Sequence, residues 1–324
     1  MCWRNKAKWQ ELSQSTDRKK AGVVNGHQVN NAFVKPFTRG TGCSVALLYN
    51  NGEPIDADVM ISHTWNEDMD QVEEAINDMS QRDGRGDDLA IWFCIFGNYQ
   101  CGDEPGDMGP TVQQQLEKDP FGTVIRSDRL SFMCLSITSE EDPYQRLWCV
   151  YELNVALDVQ EDLLSKGDPR ASSFILVELS VAAATAYAKR MREWASEQAQ
   201  KAQLDVAEWM KQQPQGPEHA YYMAVQDCSK AECSRDEDAQ FITAEILAKI
   251  GWEKLNRRMA DFRRPPVKPE RETSQTDLVL WRSLPSVVTW SGGVGAVSRR
   301  RLEMGVGEDM AGVDEAIEIG WRQD

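Results

Sequence analysis

The chain has 324 residues, 41% of them hydrophobic and 27% charged, which is enough apolar material to bury a sizeable core in one large domain or two modest ones. Its 52 acidic residues against 36 basic ones give a net charge of -16, a surface that repels phosphate, so general binding to nucleic acid or to anionic membrane is excluded from the expectations. No apolar run approaches the roughly 20 residues that span a bilayer, and Met1-Cys-Trp-Arg-Asn-Lys6 lacks the apolar core of a signal peptide, so the expected compartment is the cytoplasm.

Residues 1–54 form a basic N-terminal extension. Within the first forty residues Arg4, Lys6, Lys8, Arg18, Lys19, Lys20, Lys35 and Arg39 face only Glu11 and Asp17, which reads as a solvated arm. A short helix is expected near 3–12 and an apolar fragment at 45–49, with no sustained period between them.

From Asp56 onward, short apolar runs alternate with amphipathic helices. Residues 58–63 read as a buried strand, and Asn66 can cap a helix in which Met69, Val72, Ile76 and Met79 recur at helical spacing. A second strand is expected at 89–96, then a long polar loop and a short helix near 111–117. A third strand at 130–137 feeds a helix that Asp142 caps and Pro143 opens, running to about Leu164. A fourth strand at 173–179 precedes an Ala-rich helix over 181–211. A fifth strand is expected at 221–225, and a closing helix over 236–262 turns Ile242, Ile246, Ile250 and Leu255 inward.

This alternation predicts an α/β fold, a five-stranded parallel doubly wound sheet of flavodoxin-like type, over residues 55–262. Residues 263–324 read as a Pro-, Gly- and Arg-containing C-terminal tail with patchy order. Its glycines around Ser291 to Arg301 are read as a flexible turn, because Ser298 stands where a dinucleotide fingerprint places its last glycine.

The eight cysteines are dispersed, and Cys94, Cys134 and Cys149 fall inside predicted elements, where they act as small apolar residues. With three histidines and no recognisable ligand spacing, no metal site is expected.

In open parallel sheets ligands bind beyond the carboxyl ends of the strands, where strand order reverses. Strand one ends in Ser62-His63-Thr64-Trp65, strand two runs into Asn98-Tyr99-Gln100, and strand three leads to a helix placing Trp148 and Glu152 on one face beside Cys149, Leu153 and Ala156. These residues offer aromatic walls, hydroxyl and amide edges and one carboxylate, a set suited to a nucleotide or sugar. Each has a structural alternative. His63 can cap its strand, Trp65 and Trp148 can be core, Asn98 and Gln100 can satisfy loop backbone, and Glu152 can pair with an arginine.

The segment Arg146-Leu-Trp-Cys-Val-Tyr-Glu-Leu153 resembles the Trp-Cys-x-x-Glu-Leu motif of the plant-type Toll/interleukin-receptor (TIR) superfamily, and Asp56-Ala-Asp-Val-Met-Ile-Ser-His63 resembles that family's opening box. The combination with Ser-His-x-Trp is similar to a TIR-like group from algae and protists. Across residues 55–262 the resemblance implies a TIR-like domain that uses NAD as a substrate, with no resident cofactor, and self-associates or binds other TIR-like domains. In enzymatic members the nicotinamide–ribose bond of NAD is cleaved, and the resemblance places the catalytic carboxylate at Glu152. Ser62, His63, Trp65, Asn98, Gln100 and Trp148 are then the expected substrate contacts. The alternative it leaves open is a non-enzymatic interaction module of the same fold.

Overall fold

A computed structural model describes residues 5–14, 22–214, 216–263 and the pair 290–291. Four strands, β1 (Val59–Ser62), β2 (Ile91–Phe93), β3 (Phe132–Ile137) and β4 (Ile175–Leu179), form a parallel sheet in the order β2-β1-β3-β4. Every residue of the two inner strands β1 and β3 is buried, which is why both read as mainly apolar runs without alternation. Asp58 gathers the strand entrances: its backbone oxygen accepts from Ser131 N at 2.8 Å and its carboxylate from Ala90 N at 3.0 Å.

The fifth parallel strand expected at 221–225 is instead part of a helix, Pro217–Val225. Pro217 pre-sets the helical φ at its first position, and Tyr221 buries its ring against Trp194, with centroids 5.4 Å apart. A short aromatic run does not by itself separate buried helix from strand. The two residues Trp290–Ser291 lie antiparallel beside β4.

Among the described residues five helices reach 12 residues or more: α1 (Met69–Asp83), α2 (Leu147–Lys166), α3 (Val181–Lys201), α4 (Asp236–Lys249) and α5 (Trp252–Arg263). Asp68 caps α1, in place of Asn66. Asp142 caps only a single turn, Pro143–Gln145, because Arg146 then extends to bridge Glu232, and α2 starts one residue later. The helix expected over 181–211 breaks after Lys201, where Gln203 takes a φ of 57° and Asp205 caps a new helix, Val206–Lys211. Gly251, at a φ of 76°, likewise divides 236–262 into α4 and α5. Strand two is shorter than expected, since Phe93 passes directly into the helical turn Cys94–Gly97.

Helix α1 packs on β3 and β4, and α2 on β1 and β4. Residues Cys149–Leu157 of α2 are all buried, so this helix is covered nearly all round. The N-terminal segment, read from the sequence as an extension, also enters the core. Val24, Val29, Phe33, Val34 and Val45 join the same core as β1 and β3. A side chain at position 26 would put its Cβ 2.9 Å from Ile95 Cδ1 and 3.1 Å from Trp65 O, so Gly26 is what lets this segment come so close to the strand ends. Arg4, Arg18, Lys19 and Lys20 of the basic arm lie outside the described residues, as do residues 264–289 and the glycine-rich stretch after Ser291. No helix among the described residues is long and apolar enough to cross a membrane.

Candidate functional site

The carboxyl ends of β1 and β2 and the first turns of α2 enclose a cavity of about 290 Å³. Six of the seven residues singled out from the sequence line it: His63, Trp65, Asn98, Gln100, Trp148 and Glu152. The seventh, Ser62, is buried at the last position of β1 and faces the Glu152 carboxylate from behind the cavity wall.

Glu152 comes to this wall because it lies one helical turn after Trp148 on α2, which packs on β1. Only 4% of the residue is exposed, and among the described residues no arginine or lysine pairs with it. Arg146, also on the cavity wall, is held by Glu141 at 3.7 Å, Glu232 at 3.5 Å and Ser234 Oγ at 2.8 Å. Burial pushes the Glu152 carboxyl up to about 7, opposed in smaller measure by the Ser62 hydroxyl and by positive charge on His63. Ser62 Oγ meets no partner in ordinary hydrogen-bond geometry, yet lies near enough to the carboxylate to favour its ionised form.

The aromatic walls belong half to the core and half to the cavity. Trp148 leans on Phe121, with centroids 4.6 Å apart, and its Nε1 donates to Asp238 Oδ2 at 3.2 Å. Trp65 lies 5.1 Å from His27. In the loop after Gly97, Gln100 Nε2 donates to Cys94 O at 3.2 Å, so part of its amide satisfies backbone. Tyr99 anchors this loop through Asp107 Oδ2 at 2.6 Å and Gln115 Oε1 at 2.8 Å.

His63 lines the cavity, and both its ring nitrogens are already engaged. Nδ1 stands 2.6 Å from Glu67 Oε1 and Nε2 stands 3.0 Å from Cys94 Sγ, while the ring stacks on Phe93 at 4.1 Å. Burial opposes its charged form, but Cys94 and Glu67 outweigh that and raise its pKa. Burial likewise raises the Glu67 carboxyl, against the pull of His63.

Glu67 and Cys94 were not legible as site residues in the sequence, since Cys94 looks like one more apolar residue of a strand. The available signal was the spacing His63-x-x-x-Glu67 after a strand end, which permits a local ion pair. Phe121 and Asp238, far away in sequence, carried no signal. Among the described residues no group of His, Cys, Asp and Glu is placed to hold a metal ion.

Compared with known proteins, the chain matches no protein-family model, no curated protein and no solved structure.

Proposed function

We propose that this is a TIR-like, doubly wound α/β protein that cleaves the nicotinamide–ribose bond of NAD, with Glu152 as the catalytic carboxylate. The observation that carries the reading is the setting of Glu152: a buried carboxylate with no arginine or lysine partner among the described residues, on the wall of an aromatic-lined cavity where β1 and β3 adjoin at the reversal of strand order.

The chemistry asks little of a general acid. Nicotinamide departs as a neutral molecule from a cationic ring, so the main demand is to stabilise an oxocarbenium-like ribose. A carboxylate near the ribose hydroxyls meets that demand better in a partly dry pocket than in water. Trp65 and Trp148 supply flat faces for the nicotinamide ring, and Asn98 and Gln100 supply amide edges. Ser62 and His63 act on Glu152 itself, by favouring its charged form.

The cavity suits the nicotinamide-riboside end of the substrate. For the pyrophosphate, Arg235 also reaches the lining, and its partly exposed ion pair with Asp103, at 3.5 Å, is long enough to exchange at small cost.

The test is nicotinamide release from NAD by the purified protein. Glu152→Ala is expected to lower the rate by about 100-fold or more while leaving the protein folded. Undiminished turnover in that variant, or intact NAD after incubation with folded wild type, rejects the reading and leaves the non-enzymatic TIR-like interaction module.

A further inference from the structure

The contact between His63 and Cys94 is not needed by the NAD reaction, and its geometry is that of an activated nucleophile. Glu67 Oε1 lies 2.6 Å from His63 Nδ1, and Thr64 O lies 3.1 Å from the same nitrogen. Two acceptors at Nδ1 hold one ring proton there, so the proton that moves is the one between Nε2 and Cys94 Sγ, 3.0 Å apart, and the raised basicity of His63 favours its passage to the imidazole. The imidazole is fixed on three sides, by Phe93 under its face and by a partner at each nitrogen.

Two observations separate this arrangement from a buried polar network that only holds the core together. Glu67 Oε2 is buried without any hydrogen-bond partner, and a network kept only for stability gains nothing from a half-satisfied carboxylate. Moreover, Cys94 and His63 both contribute to the cavity wall. Nor is this a metal set. The imidazole lies between thiol and carboxylate in a line, so the donor atoms do not converge on one point, in keeping with the lack of any such group among the described residues.

We propose that Cys94, His63 and Glu67 form an acyl-transfer centre in this cavity, acting on small carboxylic esters or thioesters with a flat or short apolar acyl group. His63 Nε2 takes the Cys94 Sγ proton, and the sulfur attacks the acyl carbonyl carbon, forming a C–S bond as the carbonyl π electrons move to oxygen. When the C=O re-forms, the bond to the leaving oxygen or sulfur breaks, and the leaving group takes the proton from His63. Water then gives a proton to His63 and adds to the acyl-cysteine carbonyl. Collapse expels the Cys94 thiolate, which recovers the proton, and the free carboxylic acid departs.

Substrate class is set by the lining. Val112, Leu116, Phe121 and Trp148 give the cavity an apolar side that fits an acyl chain or ring, and a volume of about 290 Å³ limits its size. Asn98 on the same wall carries an amide donor for the developing oxyanion. Glu67 is a positioning residue, acting through the imidazole.

The experiment treats the full-length protein with p-nitrophenyl acetate in the absence of NAD, so it fails or succeeds independently of the NAD reading. The expected result is a burst of one p-nitrophenolate per chain, with one acetyl group mapped by peptide mass to Cys94 in the wild type. Cys94→Ala abolishes the burst, and Cys43→Ala, which removes a half-buried thiol elsewhere, retains it. Glu67→Gln lowers the acylation rate by about tenfold or more at an unchanged half-saturating ester concentration, a split that a general loss of structure does not give. Acetyl groups spread over Cys43 and surface amines with no preference for Cys94, or a burst that survives Cys94→Ala, overturns the proposal. Mapping in the wild type decides even if a variant fails to fold.

Discussion

Burial raises the Glu152 carboxyl from an ordinary 4.5 to about 7, so its surroundings favour the protonated form. Below pH 4.5 the folded and unfolded chains both hold this proton and the group is neutral to stability. Between 4.5 and about 7 the folded chain binds it more tightly, so stability falls as pH rises and then levels off. At about 1.4 kcal/mol per pKa unit the penalty at pH 8 is about 3 kcal/mol. Glu152→Gln removes the ionisation, and is expected to be up to about 3 kcal/mol more stable than wild type at pH 8 and equal to it near pH 4, read from urea midpoints. In the proposed reaction nicotinamide release uses the carboxylate, so it is expected to climb with pH through about 7. A variant that gains stability while losing turnover is the mark of a functional carboxylate. Glu178 in β4 is the contrasting case: equally buried, it is paired with Arg82 and so reads as structural.

At the scale of elements, the site is assembled from the segments that leave the strand ends. β2 stops after Phe93, and the turn Cys94–Gly97 both presents Cys94 and launches the loop of Asn98 and Gln100. That loop folds back on residues 109–111 so tightly that a Cβ at position 102 would sit 1.8 Å from Pro110 O and 2.8 Å from Thr111 Cα. Both are backbone atoms, so the chain itself must move. Gly102→Ala is expected to cost about 1–3 kcal/mol and to raise the NAD concentration needed for half-maximal rate, checked by thermal melting and by steady-state kinetics. An unshifted melting point would mean the loop yields freely. Helix α2 was legible from its Trp148/Glu152 pattern, but its start was not. The pairing of Arg146 with Glu232, 86 residues away, detaches the capped turn from the helix proper, and no local propensity encodes that bridge.

Across the molecule, the C-terminal end of α5 fastens several helices to one another. Arg263, assigned to the tail on sequence grounds, is 8% exposed, and its guanidinium bonds to Gln226 Oε1 at 2.9 Å, Asp142 Oδ2 at 3.1 Å and Tyr187 OH at 3.3 Å. It also lies over the rings of Tyr144 and Tyr222, at 3.9 and 4.3 Å. This one cation ties α5 to α3, to helix Pro217–Val225 and to the capped turn before α2. Removing it strands the Asp142 carboxylate and empties an aromatic cage. Arg263→Ala is therefore expected to cost about 3–5 kcal/mol, and Arg263→Lys to recover only part of that, since an ammonium lacks the planar fork. Urea unfolding of the two variants measures both.

Sequence alone determined the parallel α/β core and the convergence of six polar and aromatic residues on one hollow, because short apolar runs, helical apolar patterns and the strand-end rule act locally. It also singled out Glu152, through a carboxylate set in an apolar helical stretch. Only the tertiary structure decided that Val24, Val29, Phe33, Val34 and Val45 belong to the core, that 221–225 is helical, that Arg263 is a buried clasp, and that His63 spends both its nitrogens on Glu67 and Cys94. Each of these depends on partners distant in sequence or on the precise facing of two side chains, and such contacts are fixed by packing, which no local pattern of residues records.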